Sequence, residues 1–316
     1  MTNKNRRSVP FGATMIIRWM GWLVLVSLGL GQAQAPVAVP VFDGTRAFDQ
    51  LQKQCEFGPR NPGSVGYKNC RDYLIQMMQR YAEQTILQPF LLHFGRPTQT
   101  LQATNIIARF HPQKEPRLLL CAHWDTRPWA DMDPDPKNRT RPILGANDGA
   151  SGVAVLLELA RLLQLSKPAL GVDIVFFDGE DVGDSHLPST FCHGATAFAE
   201  TYGNRFGYRF GILLDMVGDK DLQIFYESYS LQSAPQIVHK VWQQAQALGI
   251  SEFIGQEGYA VYDDHMPLLR VGIPCIDIID FDYPHWHTLQ DVPANCSAAS
   301  LEKVGRVVTA IVYGER

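Results

Sequence analysis

Three apolar runs in this chain stop abruptly at acids or imidazoles. Leu118-Leu119-Leu120 leads into Cys121-Ala122-His123-Trp124-Asp125, Ile174-Val175-Phe176-Phe177 into Asp178-Gly179-Glu180-Asp181, and Ile212-Leu213-Leu214 into Asp215. A short run that is apolar at every position, rather than at alternate ones, suits a strand covered on both faces. Around these runs the pattern alternates, with helical stretches near 66–85, 150–166, 233–248 and 297–313 and strands near 105–110, 117–123, 172–177, 210–216, 222–226 and 273–279. The expected fold class is α/β, a three-layer α/β/α sandwich around a central mixed, mostly parallel sheet. In such sheets ligands bind outside the carboxyl ends of the strands, which is where these polar clusters fall.

The first 35 residues stand apart. Lys4, Arg6, Arg7 and Arg18 precede an apolar run over 19–30, and Ala33-Gln34-Ala35 offers small residues at cleavage spacing, the three parts of a secretory signal. Residues 1–35 are therefore read as a signal peptide and 36–316 as one domain of an exported, periplasmic or secreted protein. The alternative is a retained signal anchor, against which the run falls short of the ~20 residues a bilayer span needs. Pro36 disfavours cleavage directly after Ala35 and makes Ala33 a second candidate. Removing the segment's four positive charges takes the formal charge from −4 to about −8. So acidic a chain is a poor partner for a phosphate backbone, and no nucleic acid is expected.

Six cysteines occur without a C-x-x-C pair, which argues against a thiolate zinc site or a thioredoxin-type motif. Export permits disulfides, with Cys55 and Cys70 the first pair to consider, whereas Cys121 and Cys275 sit in apolar runs that suit buried thiols.

Taken singly, the polar residues have plain structural explanations: His123 a satisfied core histidine, Asp148 the cap of the helix that follows it, Asp215 a turn residue. Together they are harder to account for, because carboxylates at adjacent strand ends repel one another unless a cation holds them. Imidazole and carboxylate donors without thiolate suit zinc in a site that keeps an open position, and the histidines disfavour calcium and magnesium.

The ordered set His123-Trp124-Asp125, Gly145-Ala146-Asn147-Asp148-Gly149-Ala150-Ser151-Gly152, Glu180-Asp181, Leu214-Asp215-Met216 and Trp286-His287-Thr288 resembles the motifs of the zinc-dependent exopeptidase superfamily, from about residue 45 to the C-terminus. Two branches are compatible. The aminopeptidase pattern implies two zinc ions on His123, Asp148, Asp181, Asp215 and His287. The glutaminyl cyclase pattern implies one zinc on Asp148, Asp181 and His287, with Glu180 as acid/base and Asp215 and Asp264 in an acidic hydrogen-bond network. Asp263-Asp264-His265-Met266-Pro267, Trp286 before the metal histidine, and Phe176-Phe177-Asp178-Gly179-Glu180 resemble the cyclases more closely. Asp181 stands where the animal enzymes have Glu, one methylene longer.

What the cyclase resemblance implies is conversion of an N-terminal glutamine of peptide or protein substrates to pyroglutamate, the zinc polarising the side-chain amide and Glu180 moving a proton from the amine to departing ammonia. Trp286 and Tyr283 are expected to wall a pocket for the glutaminyl side chain, with Trp124 and Trp129 as weaker rim candidates. The mature chain is expected to be a monomer, not inserted in the membrane. A non-catalytic binding ectodomain would require loss of the base or a ligand, and every such position here carries a competent side chain. Residues 128–142, with Asp133-Pro134-Asp135-Pro136, read as a long surface loop.

Overall fold

The computed structural model describes residues 38–316, apart from positions 96 and 204. The signal peptide expected over 1–35 lies outside the described residues. Two helices lead, α1 (Gly44–Glu56) capped by the Asp43 side chain and α2 (Val65–Tyr81) capped by Ser64. There follow β1 (Gln84–Phe94), β2 (Gln99–Phe110), β3 (Arg117–His123), α3 (Ala150–Leu165), β4 (Gly171–Phe177), α4 (His193–Tyr202) and β5 (Tyr208–Asp215). The remainder is β6 (Ile224–Tyr226), α5 (Ser228–Ser233), α6 (Pro235–Ala247), β7 (Phe253–Glu257), α7 (His265–Arg270), β8 (Cys275–Ile279) and α8 (Ala298–Gly314).

Six strands form one sheet in the order β1-β2-β4-β3-β5-β8. The pairs β4/β3, β3/β5 and β5/β8 are parallel, while β1/β2 and β2/β4 are antiparallel, so the sheet is mixed with a parallel core. Every residue of β3 and β4 is buried, as their uninterrupted apolar runs require. The pleat sends alternate side chains to opposite faces. Leu118, Leu120, Ile174, Phe176, Ile212 and Leu214 join the large core with α1, α3 and α8, while Leu119, Cys121, Val175, Phe177 and Leu213 meet Phe198 and Leu268 from α4 and α7 on the other face. Helix α3 crosses β5 so closely that a Cβ at Gly152 would lie 2.1 Å from the Leu214 carbonyl oxygen, which is why that turn admits only glycine.

Differences from the sequence reading have local causes. The helix expected to run to residue 85 ends at Tyr81, and the following residues start β1, an edge strand whose polar alternation and Pro89 hid it. The strand near 222–226 is the short β6, which leaves the main sheet to pair with β7. All six cysteines are free, so the Cys55–Cys70 pairing is not formed. Both are buried, on α1 and α2, and burial pushes each thiol up to about 12. Among the described residues no helix is long and apolar enough to cross a membrane.

Candidate active site

Parallel β3, β4, β5 and β8 point their carboxyl ends the same way, and the loops leaving them build the site. The Asp125 carboxylate, just beyond β3, accepts from the backbone N–H groups of Glu180 at 3.1 Å and Asp181 at 3.3 Å, locking the turn after β4 onto the turn after β3. Gly179 makes that turn with φ of 68°. The loop ahead of α3 ends at Gly149, with φ of 95°, where a Cβ would meet the Asp125 carbonyl oxygen at 2.7 Å and the His123 ring at 3.0 Å. Only glycine lets Asp148 approach this closely. The Asp291 carboxylate then fixes the loop by accepting from the N–H groups of Asn147 at 2.8 Å and Asp148 at 3.1 Å.

These constraints bring together every metal ligand expected from the sequence. Asp148 lies between two imidazoles, one oxygen 3.1 Å from His123 Nε2 and the other 3.6 Å from His287 Nε2. His287 Nε2 is also 3.3 Å from Asp181, and His123 Nε2 is 3.2 Å from Asp215. Donor atoms of Asp148, Asp181 and His287 all lie within 4.8 Å of one another, and so do those of His123, Asp148 and Asp215. One Asp181 oxygen is buried without a hydrogen-bond partner. A buried trio of two carboxylates and one imidazole with an unused oxygen fits zinc.

The electrostatics follow from packing. Burial, then Asp181, pushes the Asp148 carboxyl up to about 6. Against the upward pull of burial, His287 and Arg127 hold Asp181 below the usual carboxylate range. Asp181 and Asp131 raise His287 to about 9 against the downward pull of burial.

Glu180 lines the same cavity as this trio. Burial, then the charges of Asp263, Asp181 and Asp264, pushes its carboxyl well up against the counter-pull of His123. The residue across from it is Asp263, which lines the cavity and falls within 4.8 Å of Glu180 and Cys192. Asp264, the expected member of the acidic network, has 0% exposure, lies outside the cavity lining, and leaves both carboxylate oxygens without hydrogen bonds. Asp264 takes up helical geometry ahead of α7, φ −55° and ψ −21°, and its charge is among those that raise Glu180. Asp263→Asn and Asp264→Asn are each expected to lower kcat at least ~10-fold, as steady-state kinetics on a glutaminyl peptide would measure, since carboxyl groups next to an acid/base contribute to its proton transfer.

A cavity of about 360 Å³ opens over these groups, lined by Asp148, Glu180, Asp181, Asp215, Trp286 and His287 among others. Trp286 stacks on the His287 ring at 3.9 Å and 27°, as expected of a pocket wall. Ser185, Phe191, Tyr229 and Tyr262 also line it, although no local sequence pattern marks them. Tyr283 is not on the wall: it is buried, and its hydroxyl donates to Asp291 at 2.9 Å, supporting the Asp148 loop from behind. Tyr283→Phe is expected to cost about 1–3 kcal/mol in denaturant unfolding with KM unchanged, because a buried carboxylate loses a donor. Trp124 is likewise no rim residue but a fully buried ring stacked on Tyr67 at 4.6 Å. Trp129 lines a neighbouring groove.

Sequence reading missed Arg127 and Asp131. Arg127, 1% exposed, reaches Asp181 at 3.1 Å and grips Asp131 with Nε and Nη2 at 2.7 and 2.6 Å. Asp131 in turn sits 3.4 Å from His287 Nδ1, leaving Nε2 for the metal side, the usual way a carboxylate orients a metal-binding imidazole. The loop read as surface filler thus clamps the histidine: Met132 N–H donates to the His287 carbonyl at 3.2 Å, and Asp133 accepts from Leu289 N–H at 3.0 Å.

Comparison with known proteins finds similarity over most of the chain. Residues 105–312 match the model of peptidase family M28. A structure described as a leucine aminopeptidase precursor from Bacteroides thetaiotaomicron aligns with TM-score 0.86 and 39% identity, covering 89% of this chain and 100% of that one. A glutaminyl cyclase from the same organism, bound to N-acetylhistamine, aligns with TM-score 0.85 and 39% identity over 88% and 100%. The glutaminyl-peptide cyclotransferase of Bos taurus is 25% identical over 287 residues, 80% of this chain and 77% of that protein.

Proposed function

The chain belongs to peptidase family M28, and from that membership and the geometry of the site we propose that it converts the N-terminal glutamine of peptides to pyroglutamate with release of ammonia, using one zinc ion. The observation that carries this reading is the buried Glu180 placed within 4.8 Å of Asp263 in the cavity that Asp148, Asp181 and His287 also line. Carboxylates this close and this buried are best reconciled by sharing a proton, which is what a group that must take a proton and return it requires. Similarity to solved glutaminyl cyclases over the whole length of those chains supports it.

Asp148, Asp181 and His287 would hold the zinc, which when bound would supply a Lewis acid for the side-chain amide carbonyl. The substrate's α-amine forms the new C–N bond to the amide carbon, and the bond from that carbon to the departing nitrogen breaks. Glu180 accepts the proton the amine gives up and hands it to the leaving nitrogen, so ammonia departs and no other reactant is consumed. Asp263, whose carboxyl burial and Asp215 push up to about 6, shares the proton with Glu180 and stabilises it in transit. Trp286 restricts the glutaminyl side chain against His287 and excludes water from the attacked carbon.

The rival is a two-zinc aminopeptidase, favoured by the way Asp148 turns one oxygen to each imidazole. It would recruit His123 and Asp215 as ligands of the second ion. Incubation of the zinc-loaded mature protein with a Gln-Ala peptide and with a Leu-anilide decides between them. Release of ammonia from an otherwise intact peptide, with the anilide untouched, is the expected result; release of a free amino acid and a zinc content near two would replace it with the aminopeptidase reading. We also propose export with removal of residues 1–35, and a monomeric mature chain, which N-terminal sequencing of the fractionated protein and its sedimentation would test.

A further inference from the structure

Cys192 lies with Asp263 within reach of the Glu180 carboxylate. It precedes α4 in a left-handed conformation, φ 59° and ψ 36°, that a non-glycine residue adopts at a cost. Both of its donors are turned to the Glu180 residue: its N–H donates to the Glu180 carbonyl at 3.2 Å, and its Sγ lies 3.6 Å from Glu180 Oε1. The start of α4 is pressed against the same turn. His193 N–H donates to the Gly179 carbonyl at 3.2 Å, and a Cβ at Gly194 would lie 2.5 Å from the Asp178 carbonyl oxygen. A glycine would meet the backbone requirement at position 192 without strain, so the presence of a thiol needs another reason.

We propose that Cys192 is a positioning residue for Glu180, its thiol donating to Oε1 and thereby fixing the carboxylate so that Oε2 faces the substrate amine. The thiol has 0% exposure, and burial, followed by the Glu180 charge, pushes it well above its usual range, so it is a neutral donor and not a thiolate that would repel the carboxylate. The inference rests on the acid/base role given to Glu180 above.

The test is a set of three substitutions measured in the zinc-loaded protein that has first been shown to cyclise a Gln peptide. Absence of cyclisation by the parent would count against the proposed function and not against this inference. Cys192→Ala and Cys192→Gly are each expected to lower kcat roughly 10-fold, the effect of losing a hydrogen bond to a charged group, with KM within about twofold and zinc content unchanged; Cys192→Ser is expected to recover most of the loss. In a Glu180→Gln background, Cys192→Ala should have no further effect on kcat, since residues acting through one group are non-additive. A glycine or alanine variant with the parent's kcat, a serine variant no better than alanine, or a full additive loss on top of Glu180→Gln would overturn the proposal.

Discussion

Glu180→Gln is expected to lower kcat by about 10²–10⁴-fold while zinc content and thermal stability stay near those of the parent, because amide cannot take the amine's proton and general acid–base catalysis contributes that much. The substitution is nearly isosteric, and the Glu180 backbone would still donate to Asp125 and accept from Cys192. On the proposed mechanism, what is lost is the group that carries the proton. The side chain sits within 4.8 Å of both Asp263 and Cys192, in a buried setting that keeps a carboxyl's affinity for protons high. Stopped or steady-state assay of ammonia release measures the effect, and turnover within a few-fold of the parent would falsify the role given to Glu180.

Removal of a metal-binding carboxylate is expected to have an effect of at least this size by a different route. Asp181→Ala should lose stoichiometric zinc on dialysis, with affinity falling by more than about 100-fold, since even outer partners of metal ligands contribute 10–100-fold. Asp181 has one oxygen 3.3 Å from His287 Nε2 and its other oxygen without a hydrogen-bond partner, free to bind the ion. Asp181→Glu, by contrast, should keep zinc, because the cavity beside the trio can take one more methylene. Metal analysis after dialysis, followed by activity with zinc restored, checks both; an alanine variant that retains one equivalent would remove Asp181 from the ligand set.

The site was legible where chemistry and chain position coincide. His123, Asp148, Asp181, Asp215 and His287 each follow a strand or a glycine-framed loop, and the structure brings them together with Asp148 central. The site was illegible where a contact joins distant segments. Arg127 lies 54 residues before Asp181 and Asp291 more than 140 after Asp148, so nothing in local composition announces that either supports the ligand loops. Trp124 and Tyr283 show the opposite error: an aromatic next to a site residue in sequence belongs to the core when its ring is sent behind the loop.

By itself the sequence determined the layers and the donor types, because a strand that is apolar at every position must be covered on both faces and a cluster of buried acids must hold either a cation or a proton. Only the tertiary structure decided which acid faces which opening. Asp263 and Asp264 are chemically identical neighbours, and only the fold makes Asp263 a lining residue of the cavity with Glu180 while Asp264 is fully buried next to it. Side-chain direction there depends on φ and ψ set by the packing of α7 against β8 and α4, a sum of long-range contacts that no local pattern contains.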